Sequence, residues 1–188
     1  MQDRMPPLEP SRMTPQQREA AAALAAGPRG GVKGPFVPLL RSPQLMDRLQ
    51  KVGEYLRFGA VLERRVAEFA MLVVSREWTQ QFEWAVHYPL ALEAGVDEAI
   101  LVELADGRRP RAMPAELEAA YDFCEELFRT RGASDATYER IVKQLGEQGV
   151  IELLGVVGYF TALSMIMNVA HTPPPGGARV SPLAPLPR

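Results

Sequence analysis

Glu83 and His87 form the pair in this sequence whose residue types and spacing best fit a chemical reaction. They lie four positions apart in a stretch with helical periodicity, so the carboxylate and the imidazole project from the same helix face. In an apolar cleft, such a pair can take up and release protons near neutral pH. The pair therefore predicts acid–base catalysis on a small molecule. The alternative is a surface ion pair that contributes about 0.2–0.5 kcal/mol.

A second glutamate, Glu68, precedes His87 by nineteen residues, and Glu152 precedes His171 by the same interval. His87 and His171 are the only two histidines of the chain. The repeated interval favours two similar helical halves related by a pseudo-twofold axis. The alternative for His171 is a purely structural role, because it stands at a predicted helix end where a positive charge interacts well with the helix dipole.

The composition limits the kinds of partner that the chain can have. With 188 residues, 47% of them hydrophobic, it is long enough for one domain with a sizeable core. Its net charge of −2 predicts no broad basic surface, so neither nucleic acid nor a membrane is an expected partner. The first residues lack the order of a secretory signal, so we expect a cytoplasmic protein. Cys124, the single cysteine, is predicted to be a packed core thiol.

Apolar residues recur at intervals of three and four through most of the sequence, and strand signals are nearly absent, which predicts an all-α fold. The predicted helices cover about residues 14–26, 43–56, 63–74, 77–94, 98–105, 114–130, 135–145 and 150–170. Pro89 is expected to bend or interrupt its helix just after His87. The predicted segments are an N-terminal helix and Gly/Pro-rich arm (1–38), a helical domain (39–172) and an extended proline-rich tail that could reach a neighbouring subunit (173–188).

Residues 62–95 resemble the carboxymuconolactone decarboxylase family, within the alkylhydroperoxidase D-like superfamily. The residues that match are Glu68, Arg76, Trp78, Phe82, Glu83, Trp84, His87, Ala94 and Gly95. Further matching pieces, among them residues 29–36 and 40–43, extend the likeness over roughly residues 15–175. The resemblance implies a compact helical fold with an internal repeat. It also implies assembly into a homotrimer or homohexamer with active sites near the subunit contacts.

The redox branch of that superfamily has two cysteines just before the histidine, and the corresponding places here hold Gln80 and Glu83. A thiol peroxidase of that kind needs one thiolate to attack the peroxide and a second sulfur to close the cycle. Cys124 lies on another predicted helix and has no partner cysteine. The sequence therefore does not support a disulfide-forming peroxidase.

The decarboxylase branch keeps the positions that correspond to Glu68, Glu83 and His87. Its named reaction removes carbon dioxide from 4-carboxymuconolactone to give the enol-lactone of β-ketoadipate, without an organic cofactor. The resemblance thus implies a cofactor-independent lyase of aromatic-compound catabolism. We expect His87 to donate or shuttle the proton, and Glu83 or Glu68 to fix its tautomer. Isomerisation of a double bond remains open, since it uses the same proton chemistry.

Several residues are candidates for binding the substrate. Trp78, Trp84 and Tyr88 could wall the cleft and pack on a flat unsaturated ring. Arg57 and Arg76, and also Arg41, could bind a substrate carboxylate. The alternatives are that the aromatic residues belong to the core or to a subunit contact, and that the arginines form structural ion pairs.

Two further hypotheses stay open at the level of the sequence. Two carboxylates and one imidazole could ligate a divalent metal at Glu68, Glu83 and His87, although we expect no metal and no cofactor. The fold could also have lost catalysis and serve as a small-ligand binding protein or an accessory oligomer.

Overall fold

A computed structural model describes residues 2–177 and 179–186 of the chain. Within these residues the fold is all-α, as the periodicity predicts, with no strand and one short 3₁₀ turn at Pro10–Arg12. The helices are α1 (Pro15–Ala26), α2 (Phe36–Leu39), α3 (Pro43–Phe58), α4 (Arg64–Glu77), α5 (Gln81–Glu93), α6 (Glu98–Ala105), α7 (Ala115–Thr130) and α8 (Asp135–Ala170).

Local sequence signals account for several helix boundaries. Thr14 caps α1 in a reciprocal capping box with Gln17, and Pro15 occupies the first helical position. Asp97 caps α6 by accepting a hydrogen bond from the amide of Ala99 at 2.8 Å. The chain turns after α5 at Gly95, whose φ of 90° is favourable only for glycine.

Helix α4 is the centre of the fold, since it packs against α5, α6, α7 and α8. Every residue from position 66 to position 76 is buried, and this buried stretch includes the polar residues Glu68, Ser75 and Arg76. A helix that is buried on nearly all sides has no solvent-facing stripe on which to place a charge. Glu68 therefore needs a polar partner inside the protein.

The two predicted C-terminal helices, 135–145 and 150–170, are both present and meet at a kink in α8, where Gly146 has non-helical angles (φ 68°, ψ 168°). The prediction for Pro89 needs correction. Helix α5 continues four residues beyond Pro89, so the proline does not end it. Pro89 is exposed, and the carbonyl of Ala85, which lacks an amide partner because of the proline, can be hydrated on that side.

Helix α8 is long and apolar enough to cross a membrane by length and composition alone. It packs against α2, α3, α4 and α7, and 56% of its most apolar window is buried within the protein. These contacts are those of a core helix. The cytoplasmic location stays a prediction.

Both ends of the described chain pack on the helical domain. The amide of Arg4 donates to the carbonyl of Ala170 at 2.8 Å, which fixes the N-terminal segment to the end of α8. In the C-terminal tail, the side-chain amide of Gln81 pairs with both backbone groups of Leu183 at 2.9 Å. Residues 179–186 thus pack on the helical domain of the same chain, and contact of the tail with a neighbouring subunit stays a prediction. The division at residues 38 and 172 stays a prediction.

Candidate active site

His87 lies between two carboxylates inside the protein. Its Nδ1 is 2.7 Å from Oε2 of Glu68, and its Nε2 is 3.2 Å from Oε2 of Glu83. All three side chains are at least 93% buried. The ring of Phe160 packs edge-on against the imidazole at a centroid distance of 5.1 Å. The structure therefore brings together the three residues that the sequence singles out for acid–base chemistry.

The short connection between α4 and α5 creates this arrangement. Only Trp78, Thr79 and Gln80 join the two helices, so they run antiparallel and Glu68 on one faces His87 on the other. Gln80 caps α5 with its side-chain oxygen, which accepts hydrogen bonds from the amides of Phe82 and Glu83. Its side-chain nitrogen donates to Asn168 of α8 at 3.0 Å. The start of α5, and with it Glu83, is thus held in place.

The two carboxylates raise the pKa of His87 above its ordinary value. Burial works in the opposite direction, because it disfavours the charged imidazolium, but the hydrogen bonds and charges of Glu68 and Glu83 outweigh it. The two carboxylates thus favour the protonated form of the imidazole. This form can deliver its proton to a bound molecule and regain it afterwards.

A cavity of about 260 Å³ opens beside the Glu83/His87 pair. Its apolar lining includes Phe36, Phe82, Val86, Phe160 and Leu163. Its polar lining consists of Arg29, Lys33, Arg57, Glu83, His87 and Tyr159. Glu68 does not line the cavity and contacts His87 at the other ring nitrogen, Nδ1. An apolar pocket with a few polar groups is the usual form of a small-molecule site.

Positive charge dominates the cavity wall. Arg29, Lys33 and Arg57 face it together with only one carboxylate, that of Glu83. None of the three cations is within ion-pair distance of an acidic group in the described part of the chain. Unpaired cations around a pocket favour an anionic ligand.

Of the residues predicted to bind substrate, only Arg57 lines this cavity. Arg76 binds the main-chain carbonyls of Ala105 and Ala184 at 3.0 and 2.7 Å, and so connects α4 to α6 and the tail. Arg41 binds the carbonyls of Val37 and Pro6. Both arginines are occupied by carbonyl groups, in place of the predicted contact with a substrate carboxylate.

The three predicted aromatic residues also lie outside the cavity. Trp84 is almost fully buried, and its ring packs on Tyr88 at a centroid distance of 5.5 Å. Tyr88 and Trp84 line a different cavity, beneath the C-terminal tail. Trp78 belongs to the connection between α4 and α5, where its carbonyl accepts a hydrogen bond from Asn168. The faces of these rings are thus directed to the core and the tail, the alternative that the sequence leaves open.

Sequence reasoning missed Arg29, Lys33, Tyr159 and Phe160. Two of them lie in the Gly/Pro-rich arm, where glycines with positive φ at positions 30, 31 and 34 shape the backbone. The matching stretch 29–36 was a signal for this wall of the cavity. Tyr159 and Phe160 lie in α8, which is strongly apolar, so nothing in the sequence distinguishes them from ordinary core residues.

The second Glu-to-His interval does not produce a second site. Glu152 and His171 are separated by about 28 Å along α8, at about 1.5 Å of rise per residue, whereas Glu68 and His87 face each other across two helices. Glu152 accepts hydrogen bonds from Tyr55 and from the amides of Val61 and Leu62. His171 ends α8 in the left-handed conformation and contacts the carbonyl of Gln2.

Neither a metal centre nor a thiol centre is evident in the described residues. They contain no group of three His, Cys, Asp or Glu side chains arranged to hold a metal ion. Both nitrogens of His87 already face carboxylates, so metal binding would have to displace one of these contacts. Cys124 is fully buried in α7, and burial raises the pKa of its thiol to about 12, which makes it unreactive.

The model of the carboxymuconolactone decarboxylase family matches residues 43–126, from the start of α3 into α7. The matched segment contains Glu68, Glu83 and His87, and it confirms the predicted resemblance. The arm with Arg29 and Lys33 lies outside it. A comparison with curated protein sequences found no match.

Solved structures share the fold at low sequence identity. An uncharacterised peroxidase-related protein from Ralstonia eutropha JMP134, described as an alkylhydroperoxidase AhpD core, is 13% identical, with 97% of both chains covered and a TM-score of 0.76. A peroxidase-related protein from Silicibacter sp. TM1040 is 12% identical over 93% of this chain and 91% of its own, with a TM-score of 0.72. A protein of unknown function from Agrobacterium tumefaciens is 15% identical over 73% and 94%, with a TM-score of 0.65. These similarities confirm an alkylhydroperoxidase D-like fold.

Proposed function

We propose that this chain, which matches the carboxymuconolactone decarboxylase family over residues 43–126, is a cofactor-independent carbon–carbon lyase or a closely related isomerase. Its substrate is a small unsaturated acid, such as a carboxylated lactone or a related acid of aromatic-compound catabolism. The observation that supports this proposal most is the position of His87, which is held between Glu68 and Glu83 at the wall of a cationic cavity.

The cavity residues divide the work of such a reaction. Arg29, Lys33 and Arg57 attract and orient the anionic substrate, and the apolar residues exclude water. Glu68 fixes the imidazole through Nδ1, so that the opposite edge of the ring is directed to Glu83 and the cavity. Glu83 and His87 are then the groups within reach of a bound molecule.

In decarboxylation, the bond between the substrate carbon and its carboxylate breaks, and carbon dioxide leaves. The electron pair stays in the conjugated system of the substrate. Protonated His87, with Glu83 beside it, gives its proton to the carbon and later regains one from solvent. In isomerisation, Glu83 takes a proton from one carbon, protonated His87 gives its own proton to another carbon, and both groups return to their starting states by exchange with solvent. Either reaction incorporates a solvent hydrogen into the product.

The decisive experiment measures incorporation of this solvent hydrogen into the product. Unsaturated lactones and aromatic acids are screened by thermal shift, and each hit is incubated in D₂O while carbon dioxide release and deuterium incorporation are measured. We expect His87→Gln to lower the rate about a hundred- to ten-thousandfold, since this is the range that one acid–base group contributes. His171→Gln is the matched control, because it removes the other histidine at a helix end, and its rate should equal that of the wild type.

Three outcomes would count against the proposal or refine it. Equal rates in the wild type and in a folded His87→Gln variant would refute the role of His87. Binding without turnover in both proteins would favour a ligand-binding or accessory protein instead. Full activity after exhaustive chelation would remove the metal alternative.

A further inference from the structure

Among the three cavity cations, Arg29 is the one with a buried polar atom that has no hydrogen-bond partner in the described residues. Its Nη2 makes only a long contact of 3.5 Å to the carbonyl of Gln50, and its Nε is buried without a partner in the described residues. Burial lowers the pKa of the guanidinium, which indicates a charge that its surroundings do not compensate. A partly buried cation in this state is stabilised by an anion that binds beside it.

The surroundings of Arg29 hold it in a fixed position. Its guanidinium lies 4.6 Å from the centroid of the Phe36 ring, in a cation–π contact. On the other side, α3 approaches at Gly53, where an added Cβ would be 2.8 Å from Nη2 of Arg29 and 2.3 Å from the hydroxyl of Tyr159. Arg29 is thus confined between the arm, α3 and α8, and it needs little ordering when a ligand binds.

The arm that carries Arg29 is itself seated on the cavity. Gly34 has a φ of 54°, and a Cβ there would be 2.4 Å from the ring of Phe82, so only glycine allows this approach. Phe82 lines the cavity next to Glu83. The arm therefore forms a built wall of the site, although it lies outside the segment that matches the family model.

We infer that Arg29 is a specificity-determining residue of this cavity and binds a second anionic group of the substrate, one that is not lost in the reaction. The inference rests on the proposed function in treating the cavity as the substrate site. The preferred ligand is accordingly a small unsaturated dicarboxylate, and a monocarboxylate of the same shape binds more weakly. A planar guanidinium suits this task because it can donate two parallel hydrogen bonds to one carboxylate.

The test compares two pairs of probes, fumarate with crotonate and (E,E)-muconate with sorbate, by titration calorimetry. Within each pair, a carboxylate replaces a methyl group at one end. The wild type should prefer the dicarboxylate of at least one pair by about ten- to a hundredfold, the usual effect of a hydrogen bond to a charged group. Arg29→Gln should remove this preference and leave binding of the monocarboxylate nearly unchanged. Arg29→Lys keeps the positive charge but loses the planar pair of N–H donors, so it should retain part of the preference for the dicarboxylate.

Arg48→Gln is the matched control, because it removes one positive charge from an exposed site on α3 outside the cavity. It should keep the full preference. Absence of a preference in the wild type, or a preference that survives Arg29→Gln, would overturn the inference. This test measures binding, whereas the test of His87 measures turnover. The role of Arg29 can therefore be refuted while His87 proves essential, and the role of His87 can be refuted while Arg29 still determines the dicarboxylate preference.

Discussion

At the residue scale, burial of Glu68, His87 and Glu83 carries a desolvation cost that their mutual contacts offset only in part. Two carboxyl groups and one imidazole are removed from water there, and desolvation of each charged group at such a place costs several kcal/mol in order of magnitude. An apolar trio of similar volume would pack there without that cost. Three ionisable groups in contact at one buried point are typical of a functional site.

The raised pKa of His87 leads to a prediction on pH dependence. Since the protonated form is favoured in the folded state, His87 should titrate above the ordinary histidine value of about 6.5. Its stabilising contribution is complete below that value and is lost as the pH rises through the folded-state pKa. A rate that depends on imidazolium as the donor should decline over the same upper range.

This titration can be measured by NMR of the histidine ring signals. The chain has only two histidines, so His171→Gln assigns the remaining signal to His87. In Glu68→Gln, which keeps a hydrogen-bonding group beside Nδ1 but removes the charge, the midpoint of His87 should fall. A midpoint below about 6.5 in the wild type, or one that Glu68→Gln leaves in place, would contradict the account given for this site.

The sequence was sufficient to predict that Glu68, Glu83 and His87 lie together, because these residues are close along the chain. They belong to one helix or to two consecutive helices. Glu83 and His87 share a helix, and Glu68 is one hairpin away. Arg29 could not be found in this way, since its contacts with Gly53 and Tyr159 bring together three distant parts of the chain. The predicted position of Trp84 and Tyr88 in the cavity beside His87 differs from the structure for a related reason. Helical spacing alone does not indicate which side of α5 faces that cavity and which side faces the tail.

At the element scale, the close approach of α3 to α8 depends on Gly53. In an ordinary helix interior, replacement of glycine by alanine stabilises the helix by about 0.5–1 kcal/mol. At Gly53 the added Cβ would collide with the hydroxyl of Tyr159 at 2.3 Å. We therefore expect Gly53→Ala to lower the free energy of unfolding by about 1–3 kcal/mol, the usual cost of overpacking, as measured by urea denaturation.

Gly158 provides the control for this prediction. It lies in the interior of α8, is exposed, and has no atom within 4 Å of an added Cβ. Gly158→Ala should stabilise the protein by about 0.5–1 kcal/mol. If both substitutions stabilised the protein, α3 and α8 would not be as close at Gly53 as the structure has them.

The helices themselves were largely predictable from periodicity and caps. The predicted break between the two C-terminal helices is present as the kink at Gly146, where a positive φ is readily adopted by glycine. Pro89 was expected to bend or interrupt α5, but it lies on the solvent side, where its missing amide is tolerated and the helix continues. Helix propensity alone does not indicate which side of a helix faces solvent, so this outcome could not be predicted.

At the scale of the whole molecule, an exposed apolar patch marks a candidate subunit contact. It consists of Tyr55, Phe58, Val61 and Ile151, of which the last three are more than 60% exposed. Glu152 holds this region together by binding the hydroxyl of Tyr55 and the amide of Val61. Arg57, which lines the cavity, lies over the ring of Phe58 at 5.3 Å. The patch therefore borders the candidate active site.

We expect this patch to be buried between copies of the chain, in the homotrimer or homohexamer that the sequence resemblance implies. Light scattering should then show a multimer for the wild type and smaller species for Phe58→Glu or Ile151→Glu. Tyr138→Glu changes an exposed aromatic residue elsewhere on α8 and should leave the mass unchanged. A monomeric wild type would refute the predicted assembly.

The side chain of Gln80 makes contacts that a change to a cysteine-based site would remove. By the sequence resemblance, it occupies the place of a cysteine in the redox branch, and here it caps α5 through two amides and binds Asn168 of α8. A single Gln80→Cys change would leave those amides and that asparagine without their partner before any disulfide chemistry could begin. Glu83→Cys would remove one of the two carboxylates beside His87. Each single change thus removes contacts of the present site before a second cysteine is in place, so a disulfide-forming site would require both changes together with new partners for the amides and for Asn168.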